Sequence, residues 1–309
     1  MPSLQSRMFN GLLRILPLKR RWSSAAAVQA QVRKLEARPA SHNPPKLGRD
    51  VRIALESCNG WPVYRITPSA NPHVENYAFF LHGGGFINEI VPGHWRFAGW
   101  LTRHAPACCY VPIFPLAPKA TAKLVVPAVG RMLRELMETV GAEKVSLIGN
   151  SAGGGLALAA AQWLRDSGFA QPKTIILISP LLDASVSGVE HAAIAPRDVM
   201  LDVPGLAEAG RLYAGDLEIS HPYVSPPHGD LSKLAPMLVF TGTNDLLHPD
   251  SIALADKTTQ VGVPVELHVQ SGLPHSYAFL PAPEGLEARE IIARAVSADS
   301  IARHALMGA

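Results

Sequence analysis

Ser151 stands in Gly149-Asn150-Ser151-Ala152-Gly153, a G-x-S-x-G pentapeptide where the apolar run Lys144 to Ile148 meets a helix of small residues. A strand that reverses at once into a helix must hold its turning residue in a strained conformation with the side chain exposed, which is the nucleophile elbow. Gly149 and Gly153 remove the Cβ atoms that would clash. The helix start also aims free backbone N–H groups at the hydroxyl. Alone, the pentapeptide competes with a phosphate-cradling loop or a plain tight turn.

A second motif separates these readings. Tyr77 to Phe86 reads Y-A-F-F-L-H-G-G-G-F, a strand-like run ending in His82-Gly83-Gly84-Gly85. Bare glycine amides after an earlier strand, with the amide following the nucleophile, suit a developing oxyanion. Gly83, Gly84 and Ala152 are the candidate donors. The competing reading of the three glycines is a flexible turn.

A serine hydroxyl needs a base, and the base needs an orienting group. In this architecture the chain order is serine, acid, histidine. Met237 to Gly242 reads as a buried strand, and Asp245 lies just past its end. Val263 to Val269 alternates Val265, Leu267 and Val269 with Glu266 and His268, and the next turn carries His275. Ser151, His275 and Asp245 are therefore the expected nucleophile, base and orienting acid. Of the 12 histidines, His248 lies too close to Asp245 to return to the serine. His268 is expected on the surface, and His82 is expected to brace the glycine loop. Asp183 and Asp250 rank below Asp245, as capping or surface charge.

There is no HExxH, CxxC, Walker lysine or GxGxxG with an acidic partner, so no metal or cofactor is expected. The 3 cysteines, Cys58, Cys108 and Cys109, are odd in number, and the adjacent pair reads as buried strand. A net charge of +3 without clustering along most of the chain gives no argument for nucleic acid. With 309 residues, 48% hydrophobic and 17% charged, the chain can bury one large core.

Short apolar runs alternating with longer periodic segments indicate a largely parallel α/β sheet covered on both faces. A leading hairpin is expected at Val51 to Cys58 and Trp61 to Thr67, turning at Asn59-Gly60. Helices are expected within Pro92 to His104, Thr121 to Val140, Pro249 to Val261 and Glu284 to Leu306. Residues 51–183 and 224–309 are read as the core. Residues 1–50 and 184–223 break the rhythm and are read as a helical cap over the serine. Ala25, Val28, Val32 and Leu35 form one helical stripe in the first of these, and a helix is expected around Pro204 to Tyr213 in the second. The basic, Leu-rich start has a competing reading as a secretory or membrane-surface segment, but nothing reaches spanning length. The odd cysteines and the lack of a clean leader point to the cytoplasm.

These residues together resemble the hormone-sensitive lipase family of α/β-hydrolases over roughly residues 60–285. The similarity is carried by His82 to Gly85, the elbow with Gly154, Leu116-Ala117-Pro118, Ile178-Ser179-Pro180 to Asp183, His221 to Ser225, Gly242 to Asp245, and His275. The resemblance implies a mostly parallel eight-stranded sheet, a cap, and a cofactor-free ester hydrolase acting on a small-molecule ester, most often short-chained. It puts Ser151, Asp245 and His275 at the triad, with Gly83, Gly84 and Ala152 at the oxyanion hole. Acyl transfer or amide cleavage by the same triad, and a non-catalytic receptor on the same fold, remain alternatives. Oligomeric state is open, a homodimer among the options. Asn150 replaces the family's usual aspartate, and Lys119 replaces an acidic residue after L-A-P; both bear on local hydrogen bonding and charge. Trp95, Trp100 and Phe86 are candidates for the pocket wall or for the core.

Overall fold

The computed structural model describes residues 2–70 and 74–297. Its centre is an eight-stranded sheet: β1 (Val51–Cys58), β2 (Trp61–Pro68), β3 (Asn76–Leu81), β4 (Ala107–Pro112), β5 (Val145–Asn150), β6 (Thr174–Ile178), β7 (Met237–Gly242) and β8 (Val265–Gln270). The spatial order is β1-β2-β4-β3-β5-β6-β7-β8. β2 pairs antiparallel with β1 and β4, and every other pairing is parallel. The expected hairpin is present, with Asn59 and Gly60 both at positive φ, as a tight two-residue connection requires.

Side chains alternate across the central strands. Phe79, Leu81, Leu147, Leu177 and Val239 enter one core, while Ala78, Phe80, Ile148, Ile176, Leu238 and Phe240 enter the other. The chain outside the sheet supplies the helices α1 (Leu4–Ile15), α2 (Ala25–Ala37), α3 (Pro92–His104), α4 (Ala122–Val140), α5 (Ala152–Asp166), α6 (Val189–Ile194), α7 (Val203–Ala214), α8 (His248–Gln260) and α9 (Pro283–Ser297). Buried residues of α4, α5 and α8 cover the first face, and those of α3 and α9 cover the second. Strands buried on both faces explain the near-continuous apolar runs in the sequence. The expected closing helix ends at Ser297, and the rest of its expected range lies outside the described residues.

Residues 1–50 contribute α1, a short 3-10 turn at Lys19–Trp22, and α2. Val28 and Val32 of the expected stripe are buried, Leu35 is half-buried and Ala25 is exposed. Within 184–223 the foreseen helix is α7, and the short α6 is an addition the pattern did not signal. Trp22 is seated where a Cβ on Gly85 or Gly205 would strike it, which brings the N-terminal segment, the glycine loop and α7 together.

Among the described residues no helix is long and apolar enough to cross a membrane. In β8, Val269 is 41% exposed, contrary to the simple alternation. His268, expected on the surface, instead lies half-buried with its ring stacked on Phe240 at 4.5 Å between centroids. His268 is in register with Phe240 of the neighbouring β7, so its ring covers that aromatic face.

Candidate active site

Ser151 joins β5 to α5 with φ 54° and ψ −123°, a region that side-chain-bearing residues rarely adopt. Such strain costs of order 1–3 kcal/mol and persists only where surrounding bonds fix it. Four do so here: Ser151 N–H donates to Ile178 O at 2.9 Å, and Ser151 O accepts from Gly154 N–H at 2.8 Å, Gly155 N–H at 3.3 Å and Leu181 N–H at 2.9 Å. Gly153 is held against the carbonyls of Leu81 and His82, leaving no room for a Cβ.

His275 follows β8 and is nearly buried. Its Nδ1 lies 3.0 and 3.1 Å from the two carboxylate oxygens of Asp245, so Nδ1 carries the proton and Nε2 is left for other partners. Asp245 is fully buried just beyond β7. Burial pushes its carboxyl up, but the facing His275 and hydrogen bonds from His275, Ser179 and the Leu247 amide outweigh this and hold it below the ordinary range. Burial would lower His275, yet Asp245, its hydrogen bond and the further charge of Asp198 raise it above its ordinary value.

The glycine loop takes up the other side of Ser151. A Cβ on Gly83 would meet Asn150 Oδ1 at 2.7 Å and Ser151 Cβ at 2.9 Å, so only glycine lets this backbone approach the serine. Gly84, at φ 134°, turns its carbonyl onto the Asn88 amide at 3.0 Å. The Gly83 and Gly84 N–H groups donate to no other group among the described residues. Ala152 opens α5, where an N–H has no partner within the helix. His82 braces the loop as expected: it is fully buried, its Nδ1 donates to Gly83 O at 2.8 Å, and its ring stacks on Phe114.

Ser151, His275, Gly83 and Gly84 line one cavity of about 340 Å³. Leu13, Leu18 and Trp22 from the N-terminal segment and Met200, Leu201 and Leu206 from the insertion form apolar wall. Trp95 and Phe86 belong to the core: Trp95 packs edge-on against Tyr64, and Phe86 stacks on Tyr213 of α7. Trp100 stacks on His104, away from the cavity. His248 is the first residue of α8, lies beside Thr241 and does not line the cavity. Asp183 holds the Ser185 amide and faces His228, and Asp250 pairs with His191, so both stay outside the cluster.

Four contributors lay outside the expected set. Ser179, at φ 47° after β6, accepts from Ser276 N–H at 2.9 Å and donates to Asp245. Asn150 donates to Ile178 O at 3.0 Å and to Ser276 Oγ at 2.8 Å, two bonds a carboxylate has no hydrogen to make. Its Oδ1 faces His94 Nε2 at 3.1 Å. His94 Nδ1 accepts from Val91 N–H, so Nε2 carries the hydrogen and donates to Asn150. Burial and the neighbouring His82 push His94 down to about 3, keeping it neutral. Asp198, in the insertion, accepts from Met200 N–H at 2.7 Å, Leu201 N–H at 2.9 Å and Leu246 N–H at 2.7 Å. Burial and the facing Asp245 raise its carboxyl to about 6. The S-P pair after a buried strand was a signal for Ser179. Nothing in the local pattern marked Asp198.

A strained serine, an imidazole clamped by a buried carboxylate and bare amides in one crevice define a hydrolase of the α/β fold. The family description "alpha/beta hydrolase fold" matches residues 78–279. An acetyl-hydrolase of Streptomyces hygroscopicus is 31% identical over 69% of this chain and 72% of its own length. A triacylglycerol lipase of Mycobacterium tuberculosis is 32% identical over 78% of this chain, which spans about half (49%) of that protein. The crystal structure of a hormone-sensitive lipase homologue from a metagenome library superposes with a TM-score of 0.82 at 25% identity, covering 97% of this chain and 99% of the other. The chain belongs to the hormone-sensitive lipase family of α/β-hydrolases. It is a carboxylesterase/lipase-type hydrolase, acting on carboxylic esters.

Proposed function

We propose that this protein cleaves short-chain carboxylic esters through an acyl-enzyme on Ser151. Ser151 Oγ attacks the ester carbonyl carbon while His275 Nε2 takes its proton, and Asp245 orients the imidazole and stabilises its cationic form. The Gly83, Gly84 and Ala152 N–H groups bind the oxygen that becomes negative. His275 then protonates the departing alcohol. A water attacks the acyl carbon with His275 again as base, releasing the acid and restoring Ser151.

The observation that carries this reading is the double contact of His275 Nδ1 with Asp245 in the same cavity that Ser151 lines at positive φ. It fixes the tautomer a general base requires. Residues 1–50 and 184–223 act as the cap, since they supply the apolar wall facing Ser151. The modest cavity favours a short acyl chain, in keeping with the acetyl-hydrolase name of one relative.

The test is turnover of p-nitrophenyl esters of increasing acyl length by wild type and Ser151→Ala, with labelling by a serine-directed phosphonate. Wild type should prefer the short members and take the label at Ser151, and Ser151→Ala should lose nearly all turnover. Wild-type turnover by folded Ser151→Ala removes the nucleophile assignment. A preference for long chains removes the substrate assignment alone.

A further inference from the structure

Helix α1 is amphipathic on two opposite faces. Its inner face is fastened: Ser3 and Ser6 bond the Glu284 carboxylate, Asn10 donates to Gly272 O at 3.0 Å, and Leu13 enters the cavity wall. Its outer face carries Leu4, Met8, Leu12 and Ile15, spaced one helical turn apart and 72%, 67%, 53% and 82% exposed. A fixed stripe of four large apolar side chains in water calls for a partner.

The charge beside that stripe indicates what partner. Residues 1–35 contain Arg7, Arg14, Lys19, Arg20, Arg21, Arg33 and Lys34 and no carboxylate; Glu36 is the first. At the C-terminal end of α1 a cleft of about 510 Å³ is lined by Arg14, Ile15, Lys19, Arg20, Arg197 and Asp198, among others. The Asp198 carboxylate is turned onto three backbone amides, and Lys19 is tied to the carbonyls of Ala195 and Asp198. Arg14, Arg20 and Arg197 have no carboxylate partner among the described residues.

We infer that α1 and this cleft dock the protein onto the surface of a bilayer containing anionic phospholipid. The apolar stripe enters the boundary between headgroups and acyl chains, and Arg14, Arg20 and Arg197 meet lipid phosphates. A protein groove would supply the apolar contact but gives no reason for a carboxylate-free basic stretch around it. Leu13, Leu18 and Trp22 continue from α1 into the wall of the Ser151 cavity, so docking would set its mouth near the lipid. The inference does not rest on ester cleavage, because binding is read without turnover.

The experiment is co-sedimentation of the full chain with vesicles of phosphatidylcholine alone and of phosphatidylcholine mixed equally with phosphatidylglycerol, at low and raised salt. Wild type should bind the mixed vesicles at least tenfold more tightly, with salt weakening the difference. Combined Leu4→Ser, Met8→Ser, Leu12→Ser and Ile15→Ser should lose binding at least tenfold, with an unchanged near-ultraviolet circular dichroism spectrum. Combined Arg14→Gln, Arg20→Gln and Arg197→Gln should lose the preference for phosphatidylglycerol, and this second variant keeps the test open should the first not fold. Equal binding to both vesicles, or to neither, overturns the inference. So does abolition of vesicle binding by inorganic phosphate at matched ionic strength, which would mean a phosphate site without bilayer docking. A wild-type dimer that the serine variant converts to monomer would assign the stripe to a second copy instead.

Discussion

Asn150 Nδ2 donates to Ser276 Oγ at 2.8 Å, so the residue before Ser151 is bonded directly to the residue after His275. The proposed nucleophile and base are thus registered by their immediate neighbours and do not depend on the sheet alone. Ser276 is fixed a second time through its N–H, which donates to Ser179 Oγ. The same Ser179 hydroxyl donates to Asp245, so one chain of hydrogen bonds runs from Asn150 through Ser276 and Ser179 to the carboxylate that holds His275.

Asn150→Ala should break that registration. It would leave the His94 N–H and the Ser276 hydroxyl without their partner in a buried region, at a cost of about 3 kcal/mol. Urea denaturation should show that loss. The kcat for a soluble ester should fall at least about tenfold, because misplacing a catalytic group by a fraction of an ångström is felt in rate. A stable variant with unchanged kcat would mean the bridge is dispensable.

Gly83→Ala tests the approach of the glycine loop. The new methyl would sit 2.7 Å from Asn150 Oδ1 and 2.9 Å from Ser151 Cβ, forcing the loop away from the serine. Displacing an oxyanion donor costs roughly 100-fold in kcat. KM should change little, since the donor acts on charge that develops after binding. A variant with raised KM and intact kcat would place Gly83 in substrate binding only.

The pH profile follows from the charges facing His275. Asp245 and Asp198 hold its pKa above the ordinary 6.5, and the base must be neutral to act. The acidic limb of kcat/KM should therefore lie above pH 6.5, with rate increasing as pH rises through it. Asp198→Asn removes one of the two negative charges, so the limb should move to lower pH. An amide in place of the carboxylate also cannot accept from Leu246, Met200 and Leu201 on both sides, so kcat should fall about tenfold. A drop in rate with the limb unmoved would give Asp198 a purely structural role.

Acid stability is set by two other imidazoles. Burial pushes His82 down to about 4, and burial with the neighbouring His82 pushes His94 down to about 3. Their neutral folded forms are favoured above the unfolded pKa of 6.5. Below it the unfolded chain binds more protons, so this contribution is lost as pH falls toward 4 and 3. Each group should cost about 1.4 kcal/mol per pH unit within that window. Urea midpoints between pH 6.5 and 5 should fall accordingly, and His94→Gln should flatten the slope. The same slope in that variant would remove His94 from the account.

The local parts of the site were legible because each constrains its own few residues. The strand, the turn at Ser151 and the helix of small residues are adjacent in the chain, and so are the strand and the bare amides of Gly83 and Gly84. Asp245 and His275 were marked by the ends of β7 and β8, where a parallel sheet gathers its side chains. His268 was misplaced because alternation reports which side of a strand a residue faces, and says nothing of an aromatic ring waiting on that side.

What the chain determined by itself is the set of groups able to react and the backbone turns that present them, since those depend on residue type and on neighbours a few positions away. Tertiary structure decided which groups support them. Asn150 and Ser276 are 126 residues apart, and Asp198 reaches Leu246 across 48. Bonds of that span leave no period in the sequence, because they exist only after the sheet has closed and the insertion has packed against it.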